Sequence, residues 1–290
     1  GSSGRLRREL GVLPPGDIRN CLAALSTEEP LLTRLFQYRF TAGSGLEGHS
    51  FGNLFLSALT AITGNLETAI TASSRVLAVQ GQVVPATNVD VRLWAELENG
   101  ERIEGESNIG HAPSPIVRLG CQPERPPALP RALEAIASAD LILLGPGSLY
   151  TSLLPNLLVP ELVNSIGRSR APRLYICNLM TQPGETDGLD VRGHLRAIEA
   201  QLASLGINQR LFTAVLAQDD LGASPLVEHY RSRGAEPVAC DADDLRRDGY
   251  DVTQAPLQGA RPTATLRHDS RSLALAVMRF YRSHRRDKDQ

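Results

Sequence analysis

The sequence predicts an α/β fold, with a mostly parallel sheet and helices on both faces. Residues 140–144 and 173–177 are short apolar segments typical of buried strands, and a helical pattern over residues 157–166 separates them. A strand–helix–strand unit of this kind pairs its two strands in parallel. Asn99-Gly100, between the alternating residues 89–98 and 102–106, predicts a β-hairpin beside the sheet. We therefore expect a Rossmann-like domain with a hairpin excursion.

Helical patterns dominate the first third of the chain. Apolar spacing predicts helices over residues 17–25, with Asp17 as the cap, and over residues 31–36. A glycine-rich loop, residues 43–53, leads into a third helix over residues 54–62. Two non-helical segments follow: a predicted strand over residues 75–84, and a predicted surface linker over the proline-rich residues 113–130.

The alternation of helix and strand continues to the end of the chain. It predicts a helix over residues 191–205, a strand over 210–216, a helix over 224–233, a short segment at 237–239 and a final helix over 270–283. A solvated tail of mixed charge, residues 284–290, follows. The 290 residues contain no internal repeat. A chain of this length forms one large domain or two small ones, and we expect one domain spanning residues 1–290.

Composition excludes several classes of function. Thirty basic against thirty-two acidic residues give a net charge of −2, which predicts no electrostatic attraction to nucleic acid or to anionic membranes. Lys288 is the only lysine, so a P-loop lysine and a Schiff-base lysine are excluded. No apolar run is long enough for a membrane span, and no signal peptide opens the chain. We expect a cytoplasmic protein without a metal site, whose four separated cysteines are reduced: Cys21, Cys121, Cys177 and Cys240.

The loop after the first buried strand is the strongest candidate site. Ligands of α/β proteins bind beyond the carboxyl ends of strands, and glycines let backbone N–H groups approach an anion. Hydroxyl groups and an amide follow on the chain, whereas the lysine of a Walker A loop is missing. The alternative interpretation is a plain strand-to-helix turn. The candidate residues are Gly145, Pro146, Gly147, Ser148, Thr151, Ser152 and Asn156.

Three further polar groups are candidates. His49 and Asn53 precede a helix, where His49 is either a catalyst or a structural hydrogen-bonding residue. Asn178 and the polar loop 182–188 follow the next buried strand, which places them at the same sheet edge if the strands are parallel; the alternative is a plain solvated connection. The third group either lines a site or forms only a helix cap and an ion pair; its members are Asp17, Arg19 and Asn20. Neither a Ser/His/Asp arrangement nor a pair of carboxylates stands out.

Three long motifs resemble one known family. They read GHSFGNLFLSALTAITGNLETAI, LLGPGSLYTSLLPNLLVPEL and YICNLMTQPGETDG. The chain is similar to the bacterial gluconeogenesis factor family from Gly1 to about Leu275. The resemblance implies cytoplasmic proteins that bind UDP-sugars and are needed for cell shape and for growth on gluconeogenic carbon. It also implies a common superfamily with 2-phospho-L-lactate transferase.

The resemblance also implies site residues and a ligand. It places Gly1, Ser2, Ser3 and Gly4 in the pocket together with the candidates above, and it ties Tyr230 and Arg267 to UDP-sugar binding. In the family, a first strand and a glycine-rich turn come before the position of Gly1. This sequence does not contain them, and we expect either truncation or divergence as the reason. We expect UDP-N-acetylglucosamine or UDP-glucose as ligand and no obligatory cofactor.

Two functions therefore stay open. The first is a non-catalytic regulator that acts with cell-wall synthesis or shape proteins. The sequence is compatible with a homo-oligomer of this regulator. The second is a nucleotide-dependent transferase, which would require a metal, with Asp17 as a ligand.

Overall fold

The computed structural model describes residues 16–26, 30–222, 224–258 and 265–286. Its contacts divide the chain into two compact units. The first unit comprises the described part of Gly1–Asp90 with Pro127–Ala132. The second comprises Val91–Pro126 and the described part of Leu133–Gln290.

The first unit is helical. It contains α1 (Gly16–Leu25), α2 (Pro30–Gln37), α3 (Phe51–Thr63) and α4 (Leu66–Val76). Ser50 begins α3, because its hydroxyl accepts a hydrogen bond from the Asn53 N–H at 3.2 Å. Apolar side chains from all four helices form one buried cluster, which includes Leu22, Phe36, Leu56 and Ile70. The three predicted helices are thus present. Helix α1 already starts at Gly16, so Asp17 lies in its first turn instead of capping it.

The strand predicted over residues 75–84 is wrong. Arg75 and Val76 belong to the last turn of α4, and the Leu77 N–H continues the helical hydrogen bonding to the Ser73 carbonyl at 2.9 Å. Leu77 is buried in the helical cluster. Val79 contributes only an isolated bridge to Ser26. The valines have high strand propensity, but burial of the apolar face of α4 outweighs it.

The second unit contains an antiparallel sheet. Its strands are β1 (Arg92–Leu97), β2 (Arg102–Glu104) and β3 (Ile116–Gln122), in the order β2-β1-β3. The predicted hairpin of β1 and β2 is confirmed, and Gly100 in its turn has φ +81°. Strand β3 lies inside the segment predicted as a linker, which corrects that prediction. Its prolines flank the strand, whereas Ile116, Leu119 and Cys121 within it face the core.

The same unit contains the predicted parallel sheet. Its strands are β4 (Ile142–Leu144), β5 (Arg173–Ile176), β6 (Ala214–Gln218) and β7 (Asp251–Ala255), and they run in the order β4-β5-β6-β7. Residues 237–239, predicted to continue the alternation, provide one isolated bridge between Pro237 and Met180. The fourth strand is β7, which the sequence did not predict.

Helices pack on both faces of the parallel sheet, as predicted. The described helices that follow β2 along the chain are α5 (Glu106–Ile109), which contacts β1 and β2, and α6 (Pro130–Ala137), α7 (Leu154–Leu157), α8 (Pro160–Arg168), α9 (Val191–Ser204), α10 (Pro225–Arg231), α11 (Ala242–Arg247) and α12 (Ser270–Arg286). Alternate residues of β5 point to opposite faces. Tyr175 joins a buried cluster with Leu195 and Ile198 of α9, whereas Leu174 joins another with Val277 and other residues of α12.

Helix α12 extends beyond its predicted end at Ser283. His284 packs its ring against Phe280, with centroids 4.0 Å apart, and its Nε2 lies 3.2 Å from Asp251 Oδ2. These contacts continue the helix to Arg286, three residues into the segment predicted as a solvated tail; residues 287–290 lie outside the described residues. None of the described helices is long and apolar enough to cross a membrane.

Candidate functional site

The candidate site of the second unit lies where β4 and β5 end. The two strands are parallel, so the loop that follows each of them starts at the same sheet edge. Gly145 leaves β4 with φ +92°, and a Cβ atom there would lie 2.7 Å from the Ile176 carbonyl oxygen. Only glycine combines this conformation with so close an approach. The loop 145–152 therefore crosses directly over the end of β5.

Asn178 holds this loop through both atoms of its side-chain amide. Its Oδ1 accepts a hydrogen bond from the Gly147 N–H at 3.2 Å, and its Nδ2 donates to the Gly147 carbonyl at 2.8 Å. The proximity of Asn178 to the loop is thus confirmed by geometry. The space beside Gly147 faces inward, because a Cβ atom there would lie 3.1 Å from Cδ2 of Leu153. This glycine leaves room for Leu153, where we had expected room for an anion.

The loop continues into a single turn of π-helix, Leu149–Leu153. The Leu153 N–H donates to the Ser148 carbonyl at 2.9 Å, five residues back. π-Turns inside helices are frequent at functional sites. The wide turn leaves donors near its start: among the described residues, the backbone N–H groups of Ser148, Leu149 and Thr151 have no acceptor.

Sequence reasoning missed Glu185, although it named the loop 182–188. The Thr151 hydroxyl donates to Glu185 Oε1 at 2.6 Å, and the Tyr150 N–H lies 3.4 Å from Oε2. Glu185 is only 6% exposed. Burial raises the pKa of Glu185, while the hydrogen bonds from Thr151 and Tyr150 oppose this shift. Glu185 thereby holds the π-helix in place from its buried side.

The hydroxyl and amide candidates have separate partners. Ser148 Oγ accepts a hydrogen bond from Gln182 Nε2 at 2.9 Å, so its own proton is available to a ligand. Asn156 is exposed, and its Nδ2 donates to the Ser152 carbonyl at 2.8 Å within the helix. The Gly145–Pro146 peptide bond is cis.

The two residues tied to the ligand by resemblance lie in different surroundings. Arg267 is exposed, and the next residue, His268, places its Nε2 3.1 Å from the Cys177 carbonyl, which brings Arg267 to the end of β5. Tyr230 lies in the last turn of α10, where it packs against the cluster of Leu174 on the α12 face of the sheet. None of the described contacts joins Tyr230 to the loop 145–152.

The remaining candidates belong to the first unit. Asp17 is exposed, and Arg19 Nη2 donates to Asn20 Oδ1 at 2.6 Å. Burial, and secondarily the charge of Arg39, lowers the pKa of Arg19. Its Nε is buried and has no hydrogen-bond acceptor among the described residues. Arg19 and Arg39 thus place two positive charges near each other, which favours an anion there.

The histidine loop packs tightly beside Arg19. His49 and Asn53 are each 3% exposed. A Cβ atom at Gly52, between them, would lie 2.5 Å from the Phe36 carbonyl and 2.8 Å from Arg19 Cγ. Gly52 is therefore required for α3 to start against α1 and α2. Gly1, Ser2, Ser3 and Gly4 lie outside the described residues. In the part of the chain that is described, His, Cys, Asp and Glu side chains form no cluster that could hold a metal ion.

A cavity of about 990 Å³ lies at the opposite, amino edge of the parallel sheet. Its wall includes Asp140 and Pro172, which precede β4 and β5, and Tyr281 of α12. A large cavity is usually the first candidate for a binding site. Here we favour the carboxyl edge, because ligands of open α/β sheets bind there and the unpaired N–H groups are there.

Comparison with known proteins agrees with this fold. A family model described as 2-phospho-L-lactate transferase CofD matches residues 1–258. A putative gluconeogenesis factor from Nostoc is 54% identical over 97% of the chain, which spans 61% of that protein's length. The gluconeogenesis factor of Bacillus subtilis is 43% identical over 94% of the chain and 84% of its own length.

A solved structure extends the comparison. A crystal structure of a member of the UPF0052 family from Bacillus halodurans has a TM-score of 0.88 and 43% identity, and the match covers 96% of this chain and 87% of that one. Identity of this level over nearly the whole chain accompanies a common fold. The chain belongs to the gluconeogenesis factor family, within the superfamily of 2-phospho-L-lactate transferase.

Proposed function

We propose that the protein binds a UDP-sugar, UDP-N-acetylglucosamine or UDP-glucose, and acts as a cytoplasmic regulator of cell shape and of growth on gluconeogenic carbon. The observation that carries this proposal is the set of unpaired N–H groups on the loop over β5. Ser148 and Thr151, which are both partly exposed, supply backbone donors, and the Ser148 hydroxyl adds another. Such a group of donors at the start of a helix suits a phosphate.

Arg267 supplies a positive charge for the diphosphate of the nucleotide, in addition to the donors of the loop. Arg267 is exposed, and it precedes His268, whose ring contacts the Cys177 carbonyl at the end of β5. A guanidinium can hold a diphosphate through two parallel hydrogen bonds. The diphosphate of a UDP-sugar would then lie between the loop 145–152 and Arg267. Cell-wall synthesis or shape proteins are the partners that we propose for the regulator.

A transferase is the second candidate, and the description of the matching family model favours it. The described residues supply little for such a reaction at the carboxyl edge. Glu185 is buried behind the loop and already accepts from Thr151. Asp17 is exposed and belongs to no described cluster of metal-ligating side chains. We therefore favour binding without turnover.

Thermal unfolding with nucleotides tests the proposal. UDP-N-acetylglucosamine or UDP-glucose at a hundred times its dissociation constant should stabilise the folded protein by about 2.7 kcal/mol, whereas NAD should not. Equal stabilisation by NAD would contradict the proposed ligand. Chromatography of the nucleotide after long incubation distinguishes the two candidates, because protein-dependent release of UDP would indicate a transferase.

A further inference from the structure

A histidine that sequence reasoning did not select stands at the end of β5. His268 Nε2 lies 3.1 Å from the carbonyl oxygen of Cys177. A carbonyl oxygen only accepts hydrogen bonds, so Nε2 carries the proton and donates it. This bond fixes both the tautomer and the orientation of the imidazole ring.

The second ring nitrogen is left as an acceptor. Burial lowers the pKa of His268, although the bond to the Cys177 carbonyl opposes the shift, so the ring is neutral at pH 7. In a neutral ring protonated at Nε2, Nδ1 carries a lone pair. No described residue donates a hydrogen bond to this Nδ1.

His268 shares the end of β5 with the loop 145–152. Three consecutive residues make the connections: the Ile176 carbonyl faces Gly145, the Cys177 carbonyl accepts from His268, and Asn178 holds Gly147. The Cys177 N–H donates to Leu216 of β6, so His268 stands on the β6 side of the strand end and the loop on the β4 side. A ligand lying across β5 would contact both.

The chemistry of an unprotonated ring nitrogen selects the ligand. The oxygens of a bound phosphate are acceptors, and two acceptors that face each other repel. A hydroxyl group can donate to the nitrogen. Resting on the proposed function, we propose that Nδ1 of His268 accepts a hydrogen bond from a sugar hydroxyl of the bound UDP-sugar and discriminates it from simple phosphates.

Two variants test this role. Glutamine at the position, His268→Gln, keeps an amide that can donate to the Cys177 carbonyl but removes the ring nitrogen. The matched control is His284→Gln in α12, whose histidine contacts Asp251 at the start of β7, the opposite edge of the sheet. Calorimetry with UDP-glucose, UDP and pyrophosphate measures the affinities. We expect His268→Gln to weaken UDP-glucose binding by about 3- to 10-fold, with pyrophosphate affinity and the control variant unchanged.

The three probes also locate the hydroxyl. An equal loss for UDP and UDP-glucose would assign it to the ribose, and a loss confined to UDP-glucose would assign it to the hexose. Nitrogen NMR of the histidine side chains of the wild-type protein gives a readout that does not depend on the folding of the variant. We expect UDP-glucose to move the Nδ1 signal of His268 upfield and pyrophosphate to leave it in place.

Two results would overturn the inference in different ways. If the wild-type protein binds UDP-glucose while the Nδ1 signal stays in place and His268→Gln keeps its affinity, the inference fails and the proposed function stands. If the wild-type protein binds none of the UDP compounds, the proposed function fails, and the inference fails with it.

Discussion

The amide of Asn178 is the clearest point at which to perturb the loop over β5. In Asn178→Ala, the Gly147 N–H and carbonyl lose hydrogen bonds of 3.2 and 2.8 Å at once. A typical intramolecular hydrogen bond contributes about 0.5–1.5 kcal/mol, so the free energy of unfolding should fall by about 1–3 kcal/mol. The loop should also lose its fixed position over the strand, and UDP-sugar affinity should fall with it.

Asn178→Asp separates the two hydrogen bonds by pH. The carboxylate still accepts from the Gly147 N–H, but it sets a negative oxygen against the Gly147 carbonyl. The pKa of the new carboxyl group is therefore raised in the folded state. Its proton stabilises the fold fully below the ordinary pKa of about 3.9, and this stabilisation is lost as the pH rises through the raised value. The variant should be weakest above neutral pH and recover as the pH falls.

Urea unfolding followed by fluorescence measures these changes. Trp94, the only tryptophan, lies in β1 of the same unit. The control is Asn156→Ala, which removes one exposed hydrogen bond to Ser152 and should cost less than about 0.5 kcal/mol. An Asn178→Ala protein as stable as this control would refute the reasoning. So would an Asn178→Asp protein whose deficit is the same at every pH.

Three other substitutions test the same loop. Glu185→Gln removes a carboxyl group whose pKa is raised in the folded protein, so that its protonation stabilises the fold, fully so below the ordinary pKa of 4.5. The wild-type protein should therefore gain stability relative to the variant as the pH falls from 8. Urea midpoints that change in parallel with pH would contradict this. Gly145→Ala should lower the melting temperature by several degrees, because the new Cβ atom would clash with the Ile176 carbonyl and because alanine is strained at φ +92°. An unchanged melting temperature would show that the loop can move. Arg267→Ala should weaken UDP-sugar binding by about 10- to 150-fold, with lysine restoring only part; parent-like affinity in calorimetry would remove Arg267 from the site.

The sequence predicts the parallel sheet because its strands are buried on both faces and read as short apolar runs. β5 is of this kind, and β4 has the same apolar sequence although its central residue, Leu143, is exposed. β7 is missed because only Val252 of its five residues is buried, and its polar alternation resembles a loop. β3 is missed because prolines surround it, although Ile116 and Leu119 inside it are buried. Local propensity fails where tertiary pairing supplies the stabilisation.

The candidate site follows a similar division. Gly145, Gly147 and Asn178 could be selected from their places after buried strands, since parallel strands bring their carboxyl ends together. The roles of these residues within the site could not be predicted from the sequence. Asn178 bonds Gly147 across 31 residues, Glu185 reaches Thr151 across 34, and His268 reaches Cys177 across 91. No local pattern encodes contacts of that separation, so these partners emerge only from the folded chain.

These long-range contacts change what the loop can do for a ligand. A glycine-rich loop is usually credited with offering all its N–H groups to an anion. Here Asn178 occupies the Gly147 N–H, Glu185 faces the Tyr150 N–H and Leu149 is fully buried, which leaves the N–H groups of Ser148 and Thr151. Because the protein holds the intervening groups itself, the free donors are kept in a fixed arrangement before any ligand arrives. Such an arrangement lowers the ordering cost of binding. A buried, acidic residue behind this loop is then compatible with the anion site that we propose, since Glu185 accepts from Thr151 and faces the Tyr150 N–H and so holds the loop in place.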